Sequence, residues 1–403
     1  MSQRANAPRK PRRRWLLWVI GVLAACLLVS VGVGLGGWLA LRQRYADLED
    51  TRDLDVRLEA EAQSYLATRP AGALVIGVVK AERVAIFGFG ALPDGTTPDG
   101  DTIYEIGSLS KVLTGATLAA LISSGDVSLA DTLGGVIVPG ESDYTRESVA
   151  PAVAMITLQQ LVTHTSGLPR LPHGMTEDEL ASADPYAAYD EDRLWQDLAH
   201  AQLDTVPGAN YAYSNYGFGA LGQALARRMN QTYADLVAER LLTPLALSDT
   251  ALELSADRQA RLAPGMVLGT NAVAPNWDLN ALAPAGGYKS TARDMTAFIA
   301  ANLVAATGER GIDRALTESH KTLRTGWDAT LAYGWNIQEQ LWGQRVFWHN
   351  GGTGGYTSYM AIDFDNQAGI VILSNYGDAM AGSNDLDALG LVSLPLIARI
   401  SLP

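Results

Sequence analysis

The sequence predicts an α+β fold, an α/β sandwich in which an antiparallel sheet is flanked by helices, with a mostly helical second lobe and one transmembrane helix before it. Apolar segments typical of strands lie at both ends of the body, at 73–79 and 84–89 and again at 358–364 and 369–374. The region between them is mostly helical in pattern, so the two ends should join in one antiparallel sheet with the helical part folded over it. An uncharged segment, 15–41, precedes the body.

Composition and charge exclude several classes of protein. With 403 residues and 48% hydrophobic content, the chain can bury a large core, and its single cysteine, Cys26, excludes a disulfide within the chain. No cofactor or metal is expected, because the five histidines are far apart in sequence and no Cys/His ligand set exists. Six of the thirty basic residues precede Leu41 and every acidic residue follows it, which leaves the body with 24 basic against 43 acidic residues. Such a body should repel nucleic acid and anionic membrane surfaces.

The uncharged segment 15–41 is long enough to span a membrane. Its 27 positions would extend about 40 Å as a helix, against a hydrocarbon thickness of about 30 Å. The basic cluster before it predicts a cytoplasmic N-terminus and a body outside the cytoplasm. The predicted organisation is a basic tail (1–14), a transmembrane anchor (15–41), a linker (42–54) and the body (55–403).

Two other interpretations of the segment 15–41 are a cleaved signal peptide and a lipoprotein signal. A cleaved signal peptide has an apolar region of only about 7–15 residues, which is shorter. A lipoprotein signal at Cys26 is the second alternative, because Leu23-Ala-Ala-Cys26 follows a basic start. The residues after Cys26 stay apolar for fifteen positions, which favours an uncleaved anchor.

The stretch Ser108-Leu-Ser-Lys111 contains the first candidate site residues. It opens a hydrophobic helix that should stop near Gly125. A three-residue spacing puts the hydroxyl of Ser108 and the amine of Lys111 on one face of that helix, and a serine beside an amine can become an activated nucleophile. Taken alone, the pattern fits a capped surface helix equally well.

Two further motifs lie downstream. Tyr213-Ser-Asn215 precedes an apolar helix, where the alternative roles are packing and capping. His349-Asn-Gly351 joins a strand to a glycine-rich loop. His164, at a helix end, is interpreted as structural. The stretch 169–201 is predicted to be a long loop followed by a helix, of the kind that often sets specificity.

In chain order, these three motifs resemble the active-site boxes of the serine β-lactamase and penicillin-binding protein superfamily, whose sister pattern is S-x-x-K, S-D-N and K-T-G. Tyrosine in the second box is most similar to class C β-lactamases and the related DD-peptidases, esterases and D-aminopeptidases. The resemblance covers roughly 55–400 and includes the accessory motifs 164–168, 207–208 and 286–294. It implies a β-lactamase/transpeptidase-like fold.

The resemblance also implies a role for each residue. Ser108 would attack an acyl carbonyl while Lys111 helps to remove its proton, and Tyr213 would be the partner base, its phenolate favoured by Lys111. The substrate would be held and oriented by the remaining members of the boxes, namely Asn215, His349, Asn350 and Gly351. The backbone N–H groups of Ser108 and Gly352 would form the oxyanion hole.

One departure from the family pattern bears on the substrate. His349-Asn350-Gly351 stands where many relatives have Lys-Thr-Gly, and a mostly neutral histidine with asparagine weakens the expectation that a β-lactam or D-alanine carboxylate is held there. The expected function is a serine hydrolase anchored in the bacterial cytoplasmic membrane, with its catalytic domain periplasmic or extracellular. It would act through an acyl-enzyme on D-amino-acid peptides or small esters, with β-lactams as weak substrates or inhibitors. The alternatives are a true class C-type β-lactamase and a non-catalytic peptidoglycan-binding protein that kept the fold.

Overall fold

The structure, a computed structural model, describes residues 54–137, 149–340, 344–377 and 384–399. The predicted basic tail, transmembrane anchor and linker up to Asp53, together with Cys26, lie outside the described residues. Within the described ranges, no helix has both the length and the apolar character needed to cross a membrane.

The core of the body is an antiparallel sheet of eight strands in the order β2-β1-β11-β10-β9-β8-β7-β6. β1 lies between β2, which follows it in the sequence, and β11, which comes from the last part of the body. Leu74 of β1 is opposite Phe89 of β2 and Ser374 of β11. The prediction that the two ends of the body share one sheet is therefore confirmed. The strands of this sheet are β1 Ala73–Lys80, β2 Arg83–Gly90, β6 Arg324–Thr325, β7 Thr330–Leu331, β8 Asn336–Glu339, β9 Arg345–Gly352, β10 Thr357–Asp363 and β11 Ala368–Ser374.

Two small strand pairs and a set of mostly short helices complete the described body. β3 Ile103–Glu105 pairs with β5 Lys289–Thr291, and β4 Met266–Val267 pairs with β12 Tyr376–Gly377. The α-helices are α1 Leu54–Leu66, α2 Ser110–Ser124, α3 Leu133–Val136, α4 Pro151–Ala154, α5 Leu158–Val162, α6 Glu177–Leu180, α7 Glu191–His200, α8 Asn215–Arg228, α9 Tyr233–Val237, α10 Ala256–Gln259, α11 Ala283–Gly286, α12 Ala292–Val304, α13 Gly311–Ser319 and α14 Asn384–Arg399.

The sheet separates two hydrophobic clusters. Alternate residues of a strand point to opposite faces, so Leu74 and Ile76 of β1 pack with α1 and α14, whereas Val75 and Val79 belong to the larger cluster that includes α2, α8 and α12. The terminal helices thus cover one face, and the helical lobe covers the other. This is the sandwich that the strand and helix patterns predict.

α2 crosses the larger cluster and is buried along most of its length. It ends at Gly125, whose φ of +82° is the left-handed conformation that glycine adopts without a Cβ clash. The predicted hydrophobic helix with a stop near Gly125 is confirmed, although Ser108 itself lies in a 3-10 turn, Gly107–Leu109, immediately before α2.

Candidate active site

The turn that carries Ser108 is fixed by hydrogen bonds from both of its flanks. Ser110 Oγ donates to the Gly107 carbonyl at 2.7 Å and accepts from the Tyr288 N–H at 3.1 Å. Ser358 Oγ, on β10, donates to the Ile106 carbonyl at 2.8 Å. Because these partners come from distant parts of the chain, the fold itself determines where the Ser108 hydroxyl points.

Lys111 is fully buried one turn beyond Ser108, and its amine has three oxygen neighbours. Nζ lies 3.1 Å from Ser108 Oγ, 2.8 Å from Asn215 Oδ1 and 2.5 Å from the Ala285 carbonyl. The predicted one-face arrangement of Ser108 and Lys111 is therefore present. Asn215 contacts the lysine, and α11 supplies a carbonyl that no sequence motif indicated.

Tyr213 completes the cluster around the serine. The Tyr213 hydroxyl donates to Ser108 Oγ at 2.8 Å, and Lys111 Nζ lies 4.7 Å from the centre of the Tyr213 ring. Ser214, between Tyr213 and Asn215, caps α8 by accepting from the Gly217 N–H at 2.8 Å. This cap sets the start of α8, so Tyr213 and Asn215 face the serine from a fixed point.

Burial decides which of these groups carries a charge. Burial, reinforced by the positive charge of Arg170, holds the pKa of Lys111 well below its usual value of 10.5, which favours a neutral amine. Burial raises the pKa of Tyr213 above 10, so the phenol keeps its proton. Desolvation, which outweighs the hydrogen bond to Ser108 and the attraction of Arg170, therefore opposes the Tyr213 phenolate that the resemblance implies, and the role of Tyr213 as a base stays a prediction.

The protonation states explain the hydrogen bonds. A neutral amine has two N–H donors, and Asn215 Oδ1 and the Ala285 carbonyl can only accept. In the structure Nζ also donates to Ser108 Oγ, which accepts from the Tyr213 hydroxyl as well, so loss of one Nζ proton would leave the amine lone pair facing the hydroxyl of Ser108. This arrangement places a base and an acid on the same oxygen.

His164 packs against the ring of Tyr213. Its ring stacks on the Tyr213 ring with 4.4 Å between centroids, and its Nδ1 accepts the Ser214 N–H at 3.0 Å. Burial holds the pKa of His164 well below 6.5, which keeps this acceptor nitrogen unprotonated. His164 therefore has a structural role. Its backbone is in the left-handed conformation, with φ of +55°, and its ring contacts Tyr213 and Ser214 instead of the carbonyls at the end of the helix.

β9 carries the third motif beside the serine turn. His349 faces the site, with its ring centroid 6.4 Å from that of Tyr213 and its Nδ1 2.5 Å from the Asn350 carbonyl. Burial and the nearby Lys111 lower the pKa of His349 to about 3, so the imidazole is neutral. No cation is therefore contributed to the site by this strand.

The oxyanion-hole groups named from the resemblance lie side by side. A methyl group on Gly107 would come within 2.6 Å of the Gly352 nitrogen, and one on Gly351 within 2.9 Å of the Ser108 nitrogen. The Ser108 turn and the end of β9 are thus in direct backbone contact. Glycine at 107 and 351 permits this approach, which side chains would prevent.

Asn350 is the predicted site residue whose side chain the structure places elsewhere. Val346 and Trp348 on β9 pack with the α1 and α14 cluster, and Asn350 follows them on the same face. Its amide donates to Asp387 Oδ2 of α14 at 2.7 Å. The expectation that the Asn350 side chain contacts substrate beside Ser108 is corrected, because strand alternation directs it to the opposite face of the sheet.

The 169–201 stretch is a long loop followed by a helix, as predicted, and contains α6 and α7. Tyr186 from this stretch packs edge-on against Trp277, 5.2 Å between centroids, and Trp277 Nε1 donates to the Ala183 carbonyl at 3.0 Å. The Trp277 N–H donates to the buried Glu105 carboxylate at 2.9 Å, at the end of the strand that leads to Ser108. The loop is therefore connected to the nucleophile turn through Trp277.

Sequence reasoning missed several supporting groups. Ser110, Ser358 and the Ala285 carbonyl have no signal in a single sequence, because they act through contacts between distant segments. Arg170, two residues after the 164–168 motif, could have been found as a cation next to an expected site. Across the ranges that the structure describes, no group of three or more His, Cys, Asp or Glu residues is arranged to hold a metal ion.

The fold and this Ser-Lys-Tyr site define an active-serine hydrolase, and comparison with known proteins identifies its family. Residues 58–392 match the family described as Beta-lactamase, and the chain belongs to that family. It is a serine hydrolase of the serine β-lactamase and penicillin-binding protein superfamily.

Relatives and solved structures agree with this assignment. The D-alanyl-D-alanine-carboxypeptidase/endopeptidase AmpH of Escherichia coli K12 is 30% identical over 307 residues, which cover 72% of this chain and 76% of the relative. Penicillin-binding protein 4 of Amycolatopsis lactamdurans is 26% identical over 309 residues, covering 71% and 75%. A class C β-lactamase from Rhodobacter sphaeroides shares the fold with a TM-score of 0.71 at 22% identity, covering 84% of this chain and 98% of that one.

Proposed function

We propose that this protein is a membrane-anchored hydrolase that forms an acyl-enzyme at Ser108 and acts on D-amino-acid peptides, in the manner of a DD-carboxypeptidase, or on small esters. The observation that carries the proposal is that a buried amine and a half-buried phenol both bind the same serine oxygen, at 3.1 and 2.8 Å. The printed name of the AmpH relative, a D-alanyl-D-alanine carboxypeptidase and endopeptidase, supports the peptide class.

The proposed reaction uses the protonation states of the free protein. Neutral Lys111 accepts the Ser108 proton as Oγ attacks the acyl carbonyl, and the carbonyl oxygen becomes negative between the N–H groups of Ser108 and Gly352. Tyr213 donates its proton to the departing amine or alkoxide, and the proton held by Lys111 restores the phenol. Water then releases the acyl group by the same steps in reverse, which regenerates Ser108.

Asn215 has a proposed double role in this scheme. Its side-chain oxygen accepts a hydrogen bond from Lys111, which orients the amine. Its side-chain N–H groups remain free to donate to a carbonyl in the part of the substrate that becomes the acyl group. His349 forms the wall beside Tyr213, and Gly351 brings β9 against the nucleophile turn.

The β9 strand favours small esters over substrates that present a carboxylate to it, which include both β-lactams and peptides that end in D-alanine. His349 is neutral and the Asn350 side chain lies on the other face of the sheet, so neither a cation nor a hydroxyl from this strand is available to hold a β-lactam carboxylate. A true class C-type β-lactamase is thus the less supported alternative.

The membrane part of the proposal rests on the sequence. Residues 15–41 have the length and apolar character of a spanning helix, and the basic residues 9–14 orient it. The proposed location is the bacterial cytoplasmic membrane, with the catalytic body on the outer side, where D-amino-acid peptides of the cell wall occur.

The test is labelling of the full-length protein with a serine-directed fluorescent phosphonate and with a fluorescent penicillin. Wild type and Ser123→Ala, which changes an exposed serine of the same helix, should label with the phosphonate, and Ser108→Ala should not. Equal phosphonate labelling of all three proteins, or of none, would sink the proposal. D-Ala-D-Ala peptides, nitrocefin and p-nitrophenyl esters assayed in parallel then identify the substrate class. Binding of peptidoglycan fragments without any turnover would instead support a non-catalytic wall-binding protein.

A further inference from the structure

Arg170 places a positive charge beside the site without belonging to any of the three motifs. Its guanidinium carbon lies 5.1 Å from the centre of the Tyr213 ring, and its side chain is exposed. Its backbone carbonyl accepts the N–H of Asn215 at 2.9 Å and that of Tyr216 at 3.3 Å. The residue is therefore held at the start of α8, next to both Tyr213 and Asn215.

The guanidinium of Arg170 has no carboxylate partner among the described residues. Nine other arginines of this acidic chain are ion-paired, namely Arg69, Arg193, Arg227, Arg240, Arg258, Arg261, Arg293, Arg310 and Arg324. The groups around Arg170 are instead the phenols of Tyr186, Tyr211 and Tyr213, on whose pKa values its charge acts. A cation near a reactive serine, with no anion of its own, is suited to bind one from the substrate.

The rest of the site leaves this role open. Lys111 is fully buried with its amine bonded to three oxygen atoms of the protein, and on β9 His349 is buried while the side chain of Asn350 is bonded to Asp387. Arg170 is thus the charged group at the Tyr213 and Asn215 side of the site. Its neighbour Asn215 is the residue to which the proposed mechanism assigns the acyl part of the substrate.

We propose that Arg170 binds a carboxylate in the acyl part of the substrate, and so selects acyl groups that carry an anionic side chain or end. This inference rests on the proposed function and deepens it. The planar guanidinium, 5.1 Å from the centre of the Tyr213 ring, can form two parallel hydrogen bonds with a carboxylate.

The experiment compares two esters with the same leaving group on the full-length protein. One is the mono-p-nitrophenyl ester of adipic acid, whose acyl part ends in a carboxylate, and the other is p-nitrophenyl hexanoate. Wild type should prefer the adipate ester in kcat/KM. Arg170→Ala should lower this preference about tenfold, since a hydrogen-bonded charge pair is lost, and the change should appear in KM. Arg170→Lys should restore part of the preference, because it keeps the charge without the fork.

Arg324→Ala is the matched control. Arg324 lies 5.7 Å from the Tyr211 ring but is already paired with Asp328, so its removal should leave the preference unchanged. A second pair of esters, which differ by a carboxylate on the leaving group, tests the other half of the site, and the ratio of their kcat/KM values should not change in Arg170→Ala.

The outcomes separate the hypotheses. An unchanged preference in Arg170→Ala, an equal fall for both esters, or a fall confined to the leaving-group pair each overturns the assignment; the equal fall would mean that Arg170 acts only by positioning Tyr213. If Ser108→Ala hydrolyses the esters as fast as wild type, the proposed function fails instead, and the Arg170 inference fails with it.

Discussion

At the scale of residues, the chemistry of the site depends on burial more than on distance. Lys111, Tyr213 and Ser108 are in contact, and desolvation lowers the pKa of the lysine while it raises that of the tyrosine. The proposed mechanism therefore gives the two residues distinct roles, with Lys111 as the base for Ser108 and Tyr213 as the acid for the leaving group. Identity and spacing alone assign no such order.

This order makes a testable statement about pH. Lys111 must lose its proton to act, so kcat/KM should rise with pH through a pKa that lies below 10.5. In Tyr213→Phe the ring that stacks on His164 is kept and the hydroxyl is lost, so the rate should fall roughly 10²–10⁴-fold. The pH at the midpoint of the rise should stay where it is in wild type.

The measurement is the rate of Ser108-dependent ester hydrolysis between pH 5 and about pH 10, with thermal unfolding as a check that Tyr213→Phe is folded. A rise that disappears in Tyr213→Phe would show that the tyrosine is the titrating base, and the assignment would then be reversed.

At the scale of elements, the sequence predicted which residues lie near the site better than it predicted the directions of their side chains. The three motifs contain the residues that surround Ser108. Each motif lies where a strand or loop meets a helix or turn. The face to which a strand residue points depends on register, and a shift of one position reverses it. His349 and Asn350 are adjacent in the sequence, yet one faces Tyr213 and the other binds Asp387. Only the pairing of β9 with β10 and the packing of α14 decide between them.

The packing of α2 provides a test at this scale. Gly115 lies in the middle of α2, where alanine would normally favour the helix by about 1 kcal/mol. A Cβ at this position would overlap the backbone carbonyl of Tyr333, and backbone cannot move aside as a flexible side chain can. Gly115→Ala should therefore destabilise the protein by about 1–3 kcal/mol in spite of its better helix propensity.

Gly311→Ala is the matched control for this change. Gly311 is the first residue of α13, and the nearest atom to a Cβ there is the end of the Arg314 side chain at 3.9 Å. Its substitution should be neutral or slightly stabilising in urea unfolding. If both variants unfold at the wild-type midpoint, the close contact between α2 and the Tyr333 backbone is absent.

At the scale of the whole molecule, the sequence predicted the arrangement of the layers but not every strand. β1, β2, β10 and β11 are long apolar segments, and their pattern is sufficient to place both ends of the body in one sheet. β6 and β7 have two residues each and β8 has four, so they carry no periodicity from which to predict them. β8 pairs with β9, β7 with β8 and β6 with β7, so each of these strands depends on a neighbour that only the assembled sheet supplies.

The face of the sheet covered by α1 and α14 should contribute to stability but not to the shape of the serine site. Substitution of Leu58 tests this difference. Leu58 of α1 is fully buried against the sheet face that is covered by α1 and α14, away from Ser108. Leu58→Ala should cost about 2–5 kcal/mol through lost burial and a residual cavity. Val56→Ala, in the same helix at 62% exposure, should change stability by less than about 0.5 kcal/mol.

Because the serine cluster is built from the opposite face, phosphonate labelling of Ser108 under native conditions should proceed at the wild-type rate in both variants. Loss of labelling in Leu58→Ala while it is still folded would show that the outer helices help to shape the site, and equal urea midpoints for the two variants would contradict the packing of α1 itself.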